Sequence, residues 1–405
     1  MRVAIIHYWL VSMRGGEQVL EALCDLYPDA DIFTLVCDRA RISEKIGRHR
    51  IHTSIMQKIP GSTRHYKKLL PIMPFALEQF DLRSYDLILS SESGPAKGVI
   101  PPPGAIHICY CHSPMRYLWD HYHTYRAGSG RLTRLMMSLM SPWLRQWDVC
   151  TAARVDHFVA NSNHVKDRIE RYYRRRASVV SPPVATDRFD PADTVGDYYL
   201  CAGQLVGYKR VDIAVQACSR SGRKLIVVGE GEEMQRLKAI AGPSVTFLGR
   251  VPFETLRDLM RRCRALLFPG EEDFGITPVE VMACGRPVIA FGKGGALDTI
   301  VPGVTGLFHD SQSADSLEAV LDAFERDQDR FDGGAIRAHA MAFGADSFKH
   351  RMAGIIEQEV RRRGRRERMK GAVPGPTAVR AANDPYARHA PTARREGADA
   401  RLSNA

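Results

Sequence analysis

Short apolar runs rich in valine, isoleucine and leucine recur along the chain and alternate with longer segments of helical period. Continuous apolar strands that alternate with helices are typical of parallel sheets covered on both faces. The pattern predicts an α/β protein with twelve strands in two sheets. The first six runs are RVAIIHYWL, DIFTLVC, DLILSSE, AIHICYCH, VDHFVANS and ASVVSPP, and the second six are YYLCAGQL, KLIVVGEG, VTFLGRV, ALLFPG, PVIAFG and GLFH.

The two series are separated by the segment SPPVATDRFDPADTVGD at 181–197, which has three prolines, four aspartates and neither a helical nor a strand period. A chain of 405 residues also exceeds the size at which a single core stops growing. We therefore predict two doubly wound, Rossmann-like domains that face each other across a cleft. The predicted parts are the first domain (1–183), a linker (184–197), the second domain (198–344), a helix that crosses back to the first domain (345–362) and a disordered basic tail (363–405).

Composition describes an ordinary globular protein, with 44% apolar residues and a mean hydropathy of −0.24. No apolar run reaches the length of about 18–20 residues that a membrane-spanning helix needs. The opening MRVAIIHYWL predicts a first strand rather than a signal peptide, since no small-residue cleavage site follows it. Nine scattered cysteines, an odd number, indicate reduced thiols and a cytoplasmic protein.

The net charge of +11 belongs mostly to the end of the chain. Residues 361–405 hold 12 Lys/Arg and 4 Asp/Glu, a net of +8, whereas the other 360 residues hold 45 and 42, a net of +3. Few large apolar residues accompany the basic ones, which predicts disorder. The tail is consistent with a site for anionic lipid or nucleic acid and equally with a solvated end without a partner. We predict no specific nucleic-acid binding.

The stretch EEDFGITPVEVMACGRPVIAFGKGG, from residue 271, places two glutamates eight residues apart and a glycine cluster after them. Glu272 falls in a loop after a predicted strand. Thr277 is a good N-cap and Pro278 suits the first helical position, so Thr277 and Glu280 would form a capping box. That box would account for Glu280 and leaves Glu272 unexplained.

Other predicted strand ends in the second domain carry similar chemistry. Lys209 and Arg210 stand at the start of a helix after CAGQL, where free amides and the helix dipole attract anions. Gly229 lies in one glycine-rich turn, and Gly294 and Gly295 lie in another, and such turns allow a phosphate close to the backbone. Together these strand ends predict an anion-binding edge.

The E-x7-E stretch resembles that of family 4 glycosyltransferases, retaining enzymes of the GT-B fold. The resemblance covers nearly all of residues 1–360 and includes GGEQ after the first strand and YKR in the second domain. It implies that Glu280 binds the nucleotide ribose, that Glu272 lies near the transferred sugar and that Lys209 contacts the diphosphate. GGEQVLEAL together with YCHSPMRYLWD most resembles bacterial mannosyltransferases of surface-polysaccharide assembly.

From this resemblance we expect a catalytic set of His112, Lys209 and Glu272, with Arg116 and Asp120 on the acceptor side. One departure concerns the donor: the family commonly has arginine where this chain has Gln204, so another cation is expected to help Lys209. The implied donor-binding set is Gly15, Gly16, Gln204, Lys209, Arg210, Gly229, Gly249, Val251, Glu272, Phe274, Gly275, Ile276, Glu280, Gly294 and Gly295.

The segment 131–147 places Leu132, Leu135, Met136, Leu139 and Met140 on one side of a helix, beside Arg131, Arg134 and Arg145. A basic amphipathic helix with tryptophan suits a membrane interface. Such a stripe is more often the core-facing side of a helix. Both interpretations stay open from the sequence.

Competing functional classes find less support. Cys109, Cys111 and His112 have ligand-like spacing but no fourth partner for zinc, and no cofactor or metal is expected. The two Asp-x-Asp sequences, at 29–31 and 327–329, are not placed after strands, as a metal-dependent glycosyltransferase would require. No G-x-G-x-x-G follows the first strand, which disfavours a dinucleotide oxidoreductase.

The resemblance predicts transfer of a hexose with retention, best from GDP-mannose to a lipid-linked saccharide in polysaccharide biosynthesis at the inner membrane face. A UDP-hexose is the alternative donor. A sugar-nucleotide epimerase and a catalytically silent GT-B scaffold with a partner-binding tail are the alternative functions.

Overall fold

The computed structural model describes residues 1–371, with the side chains of residues 1–365. Residues 1–357 form one compact unit. It contains two parallel sheets, of seven strands in the order β3-β2-β1-β4-β5-β6-β7 and of six strands in the order β10-β9-β8-β11-β12-β13. This is the predicted α/β architecture, with β3 as one additional, short edge strand.

The first half contains the seven-stranded sheet, and its helices pack on both faces of it. Their bounds are β1 Val3–His7, α1 Gly15–Leu26, β2 Asp31–Thr34, α2 Glu44–Gly47, β3 Ile51–Thr53, α3 Ser62–His65, α4 Met73–Glu78, β4 Leu87–Glu92, β5 Ile106–Cys111, α5 Tyr122–Ala127, α6 Arg131–Ala152, β6 His157–Ala160, α7 Asn163–Tyr173 and β7 Ala177–Val179.

The second half contains the six-stranded sheet. Its elements, with the helix that follows them, are β8 Tyr199–Ala202, α8 Val211–Ser221, β9 Leu225–Val228, α9 Met234–Ile240, β10 Val245–Gly249, α10 Phe253–Arg262, β11 Leu266–Phe268, α11 Ile276–Ala283, β12 Val288–Phe291, α12 Ala296–Thr299, β13 Gly306–His309, α13 Ala314–Arg326, α14 Gly333–Met341 and α15 Ala345–Gly371.

Burial explains why the strands were visible as continuous apolar runs. All five residues of β1 are buried, and Ile5 pairs in register with Ile32 of β2 and Leu89 of β4. In the second half, one apolar cluster contains Leu266 and Val288 and the other contains Leu267 and Ile289. Alternate residues of one strand thus enter different cores, as expected for a sheet covered on both sides. All strand carboxyl ends of a sheet consequently point to one edge.

The segment between the two sheets is anchored rather than loose. Val184 and Phe189 are buried in the core of the second half, and the Val184 amide donates to the Phe343 carbonyl oxygen. The chain then returns to the first half, where Phe348 of α15 packs edge-on against Tyr110 of β5. Helix α15 continues to Gly371 rather than ending at 362. The remainder of the predicted disordered tail, 372–405, lies outside the described residues.

Helix α11 begins earlier than predicted, and the expected capping box does not form. Its N-cap is Gly275, whose φ of +89° ends the preceding loop in a left-handed turn, and no side chain caps the helix. Thr277 and Pro278 are therefore inside the first turn. Glu280 is the fifth helical residue, so capping does not explain it.

The apolar stripe on α6 is exposed to solvent instead of facing the core. Leu132, Leu135, Met136 and Leu139 are all exposed, while Met140 packs against a small cluster. The core-facing interpretation is therefore wrong for four of the five residues. Among the helices in the described residues, none has both the length and the apolar character required to cross a membrane.

Candidate active site

A cavity of about 470 Å³ lies where the carboxyl ends of the two sheets face each other. Segments that follow β1, β4, β5, β6 and β7 supply one wall, and segments that follow β8 and β11 supply the other. The cavity is where ligands of open α/β sheets are expected to bind. The side chains and backbone that line it belong to Tyr8, Gly15, Gly16, Ser93, His112, Ser113, Arg116, Tyr117, Tyr125, Asn161, Pro182, Tyr208, Lys209, Glu272, Asp273, Phe274, Gly275, Ile276 and Thr277.

Lys209 and Glu272 meet at this cavity as an ion pair. The Lys209 Nζ lies 2.9 Å from the Glu272 Oε1, and each side chain is about four-fifths buried. Burial opposes the charge on Lys209, but the neighbouring carboxylate holds its pKa above the usual value. Despite this short distance, the Glu272 Oε1 is buried and has no partner that meets hydrogen-bond geometry. Lys209 is therefore charged, and the Glu272 Oε1 keeps its capacity to accept a hydrogen bond from a ligand.

Backbone packing fixes the loop that carries Lys209. A Cβ on Gly229 would lie 1.8 Å from the Gly203 carbonyl oxygen, and one on Gly270 would lie 2.7 Å from the Lys209 Cα. Neighbouring backbone cannot yield to such contacts. The glycine at position 229 is thus required by the packing of adjacent strand-end loops, and it is outside the cavity lining.

The glycine pair after β12 packs under the Glu272 loop. The Gly295 amide donates to the Glu272 carbonyl oxygen at 2.8 Å. A Cβ on Gly294 would lie 2.5 Å from the same oxygen, and one on Gly295 would lie 2.3 Å from the Phe274 Cα. These glycines hold the Glu272 loop, and the Gly295 amide is already occupied. It is therefore not a free donor for a diphosphate.

The two halves are joined across the cavity by Asp273, a residue absent from the predicted site. Its Oδ2 lies 2.8 Å from the Arg116 Nη2, and its Oδ1 accepts a hydrogen bond of 2.7 Å from the Arg168 Nη1. Burial disfavours the carboxylate, but the two arginines lower the pKa of Asp273 below its usual value. Arg168 also donates to Asp120, which leaves Asp120 outside the cavity lining.

Arg116 keeps an unused donor. Its guanidinium lies over the Tyr208 ring, 5.4 Å from the centroid, and its Nε is buried without a hydrogen-bond partner. Arg210, by contrast, turns its guanidinium to Asp212 at 3.1 Å. Gln204 is exposed and does not line the cavity. Arg116 is therefore placed to be the second cation for a bound anion.

His112 lines the cavity with its imidazole held in a neutral state. Its Nε2 lies 2.9 Å from the Ser91 Oγ. Burial, followed by the nearby His7, lowers the pKa of His112 to about 3. A neutral imidazole both donates and accepts hydrogen bonds. Beneath it, His7 lies 3.5 Å from Glu17, on the helix whose first residues Gly15 and Gly16 line the cavity.

A buried charge cluster supports the end of β4 beside the cavity. Lys97 forms ion pairs with Glu92 and Asp148, and all three side chains are fully buried. Burial opposes the ammonium charge, but the two carboxylates hold the pKa of Lys97 above its usual value. The Glu92 carbonyl oxygen accepts the His112 amide at 2.6 Å. The cluster therefore fixes the end of β4, to which the backbone of His112, just after β5, is hydrogen-bonded.

Glu280 lies on α11, outside the cavity lining. In the described part of the chain no group donates a hydrogen bond to its carboxylate. Burial raises the pKa of Glu280 to about 7, with Arg188 acting in the opposite direction. Gly249 and Val251 are also outside the lining, although the Gly249 carbonyl oxygen accepts the Gly229 amide. The predicted nucleoside-binding residues thus do not belong to the cavity lining, although Glu280 lies on the helix whose first residues, Ile276 and Thr277, do.

Nine predicted residues are brought together in the cavity lining, including all three of the predicted catalytic set. Tyr208 and Asp273 were missed although both lie inside motifs that the sequence made visible, YKR and EEDFG. Tyr8, Ser93 and Asn161, which only follow strands, carried no such signal, and neither did Tyr125, which lies within α5. The nine are Gly15, Gly16, His112, Arg116, Lys209, Glu272, Phe274, Gly275 and Ile276.

The Cys109-x-Cys111-His112 sequence does not assemble a ligand set. Both thiols are buried in the first half, and burial raises their pKa values well above the usual range. His112 is engaged with Ser91. Within residues 1–371, no three His, Cys, Asp or Glu residues are grouped so that they could hold a metal ion.

Two family models match consecutive parts of the chain. Residues 13–188 match the model described as Glycosyltransferase Family 4, and residues 186–339 match the model described as Glycosyl transferases group 1. Their junction falls in the segment between the two sheets.

Named relatives share part of the chain. D-inositol 3-phosphate glycosyltransferase of Streptomyces avermitilis is 28% identical over 253 residues, 53% of this chain and 54% of the relative. A GDP-mannose-dependent monoacylated alpha-(1-6)-phosphatidylinositol monomannoside mannosyltransferase of Corynebacterium glutamicum is 29% identical over 180 residues, 40% of this chain and 47% of the relative. The chain thus spans about half the length of the curated relatives it matches.

Among solved structures, Anabaena Alr3699/HepE in complex with UDP-glucose superposes with a TM-score of 0.64. The match covers 88% of this chain and all of the other, at 16% sequence identity. At that identity the likeness concerns the fold, two parallel-sheet domains that face each other.

Proposed function

Since the chain joins a family 4 glycosyltransferase domain to a group 1 glycosyltransferase domain in the GT-B fold, we propose that it transfers a hexose from a nucleoside diphosphate sugar to a hydroxyl group with retention of configuration. The observation that carries this proposal is the Lys209–Glu272 ion pair in a cavity bounded by both sheets. A cation beside an acid in that cavity supports the binding of a diphosphate and its sugar there.

The barrier to such a transfer is departure of the diphosphate. As the bond from the anomeric carbon to the phosphate oxygen breaks, negative charge grows on the diphosphate and positive charge on the sugar ring. Preorganised donors at that oxygen are typically the largest contribution to catalysis. Lys209 would supply one cation. Arg116, whose Nε has no hydrogen-bond partner, would supply the second cation, which the neutral Gln204 cannot supply.

His112 and Glu272 would bind the transferred sugar. A neutral imidazole can donate to one sugar hydroxyl or accept from it, and Glu272 Oε1 can accept from another. Gly15 and Gly16, the first residues of α1, line the same cavity, and a helix N-terminus attracts anions. The Glu280 carboxylate, which receives no hydrogen bond from the described part of the chain, would accept hydrogen bonds from the ribose diol. Gly249 and Val251 would lie near the base.

GDP-mannose is the proposed donor, and mannose is the group transferred. A lipid-linked saccharide of polysaccharide biosynthesis is the proposed acceptor. Similarity to a relative named as GDP-mannose-dependent and acting on a phosphatidylinositol monomannoside supports both. A UDP-hexose is the second candidate donor, supported by the fold shared with a protein crystallised with UDP-glucose. Charge compensation by Lys209 and Arg116 leads us to propose that no divalent metal ion is needed. The proposed setting is the cytoplasmic face of the membrane.

The proposal is tested by incubating the purified chain with GDP-mannose, UDP-glucose, UDP-galactose and ADP-glucose and measuring hydrolysis without acceptor, with and without EDTA. We expect one donor to be hydrolysed in both conditions, with slower release by Lys209→Met. The anomeric configuration of product from added acceptor reports retention. Thermal stabilisation by every donor without hydrolysis or transfer would instead support the silent scaffold. Conversion of the free donor to an isomer would support an epimerase.

A further inference from the structure

Helix α6 presents an apolar stripe to solvent for more than two turns. Leu132 is 75% exposed, Leu135 55%, Leu139 65% and Trp143 45%. Their spacing of three and four residues places them on one side of the helix. Single exposed apolar residues are ordinary, but a contiguous row on one helix indicates a binding surface.

A second exposed apolar segment lies beside this stripe. Ile72 and Phe75 are 39% and 57% exposed. Their segment is tied to α6 because Trp147 Nε1 donates to Glu78 at 3.3 Å. Leu70 packs into the same small cluster as Met140 and Trp147 of α6. We call the exposed side chains of these two segments the apolar face, which consists of Ile72, Phe75, Leu132, Leu135, Met136, Leu139 and Trp143.

The two segments that carry the apolar face are basic and contain no acid, and Glu78, which follows the first of them, is paired with Arg154 at 2.7 Å. Residues 55–77 contain four Lys/Arg and no Asp or Glu, and residues 121–147 contain four more and again no acid. The net charge of residues 1–360 is +3, so these two segments carry +8 and everything else in that range carries −5. The basic side chains that are exposed there belong to Lys58, Arg64, Lys67, Lys68, Arg131 and Arg134.

We propose that the apolar face docks on the surface of a bilayer that contains anionic phospholipid. Such a surface offers an apolar layer for the leucines and tryptophan and negative headgroups for the surrounding lysines and arginines. A second copy of the chain, docked face to face, would bring six exposed positive charges against six others, with no acid in either segment to compensate them. A nucleic acid would pair with the charges but leave the leucines in water.

Docking in this manner would place the cavity beside the lipid. Tyr125 of α5 lines the cavity. Helix α5 is joined to α6, since Arg126 Nε donates to the Ser138 Oγ at 3.0 Å and the Arg145 guanidinium lies over the Tyr122 ring, 4.5 Å from its centroid. The face and the cavity are therefore connected through one short helix. That an acceptor anchored in the bilayer would thereby reach the cavity rests on the proposed function.

The test is co-sedimentation of the full chain with vesicles of phosphatidylcholine, with or without phosphatidylglycerol, in the absence of nucleotide sugar. We expect binding to the mixed vesicles only. The variant Leu132→Gln/Leu135→Gln/Leu139→Gln keeps every charge. Its affinity for the mixed vesicles should be at least about tenfold lower than that of the wild type. Its matched control is Val195→Gln/Val304→Gln/Met341→Gln, which changes residues that are 53%, 45% and 42% exposed elsewhere, and which should bind as the wild type does.

Charge is tested separately. Arg131→Gln/Arg134→Gln should lower binding by about fivefold for each arginine removed, and Lys238→Gln/Arg351→Gln should not. The basic residues after 360 are kept in all variants, so they cannot account for a difference between them. Quenching of Trp143 by brominated lipid, assigned with Trp143→Phe, should place it in the acyl region near the headgroups.

Wild-type binding by the triple leucine variant would overturn the proposal. So would a dimer, seen by sedimentation velocity without lipid, that the same variant abolishes, because a second copy would then cover the face. Donor hydrolysis without vesicles, measured on the same preparations, is expected to be unchanged in the leucine and arginine variants. A protein that binds vesicles but hydrolyses no donor would refute the proposed function and leave the docking surface standing.

Discussion

The guanidinium of Arg116, which follows the fifth strand of the first sheet, lies 2.8 Å from the carboxylate of Asp273, which follows β11 of the second. Arg168 binds the other oxygen of the same carboxylate. One acid therefore joins two arginines across the cavity, immediately beside Glu272. The same carboxylate therefore links the two halves and holds Arg116 at the cavity.

Asp273→Asn should weaken both the link between the two halves and the positioning of Arg116 at the cavity. Removing the charge leaves two largely buried guanidinium groups uncompensated, which typically costs about 3–5 kcal/mol for a buried pair. Because Asp273 has a lowered pKa, its contribution is present above the pH at which unfolded aspartate titrates and is lost as pH falls through the lower folded pKa. Urea unfolding and donor hydrolysis measure the two effects.

Asp298→Asn is the matched control for that variant. Asp298 also joins the halves, by accepting the amide of Asn163 at 2.9 Å, but it lies at the surface. Its loss should cost less than about 1 kcal/mol and should not change hydrolysis. Equal behaviour of the two variants would show that Asp273 is only one contact among several.

Much of this architecture was accessible from the sequence because fully buried parallel strands produce continuous apolar runs. The apolar runs predict twelve of the thirteen strands that residues 1–371 contain. The exception, β3, is the three-residue edge strand IHT, whose residues are only partly buried or exposed and so leave no apolar run. The start of α11 was misplaced because Gly275, in a left-handed turn, ends the loop before Thr277 can act as a cap.

The parts of the site that were not predicted depend on contacts between distant segments. Asp273 and Arg168 are 105 residues apart in the chain, and no local pattern joins them. Likewise, the exposure of Leu132 and Leu139 is decided by what the rest of the fold leaves uncovered. A helical stripe looks the same whether a core or solvent lies against it.

Lys209→Ala should lower turnover by about 10²–10³-fold, comparable to the loss of one preorganised donor at a developing negative charge. The change also frees Glu272 from its ion pair. Single-turnover measurement with the preferred donor separates the chemical step from binding. Lys238→Ala, which removes an exposed lysine from the same half, should be unaffected. Near-normal turnover of Lys209→Ala would remove this lysine from the mechanism.

His112 should remain neutral throughout the range in which the protein is assayed. Its pKa of about 3 lies far below that range because burial disfavours the imidazolium. In spectra of protein labelled at histidine, the resonance that is lost in His112→Asn should not move between about pH 5 and pH 8. Its titration near neutrality would mean that the imidazole is hydrated and not held as the structure has it.

Glu280→Gln should separate nucleotide binding from folding. With a pKa of about 7 in the folded protein, against 4.5 in its ordinary state, Glu280 binds its proton more tightly when folded. It therefore destabilises the protein as pH rises from about 4.5 to 7, and the penalty persists above pH 7. The glutamine variant should be more stable than the wild type at pH 8, by at most about 3 kcal/mol.

Donor affinity should move in the opposite direction. If the ionised Glu280 accepts from the ribose diol, affinity measured by calorimetry rises with pH through about 7 in the wild type, and Glu280→Gln loses that dependence together with most of the affinity. The ribose assignment would be wrong if the variant gained stability and bound the donor normally.

Lys97→Met should be among the most destabilising substitutions in the first half. The methionine fills a similar volume but leaves Glu92 and Asp148 as two buried acids without a cation. A loss of about 3–5 kcal/mol is expected in urea unfolding at neutral pH. The variant Lys97→Met/Glu92→Gln/Asp148→Asn removes the uncompensated charges and should recover much of the loss, since the cost lies in the unpaired acids and not in the missing lysine. If only packing were involved, the triple variant would be no more stable than Lys97→Met.

Because the Glu92 carbonyl oxygen holds the His112 amide, recovery of donor hydrolysis in the triple variant would also show that the cluster acts on the site by fixing the end of β4.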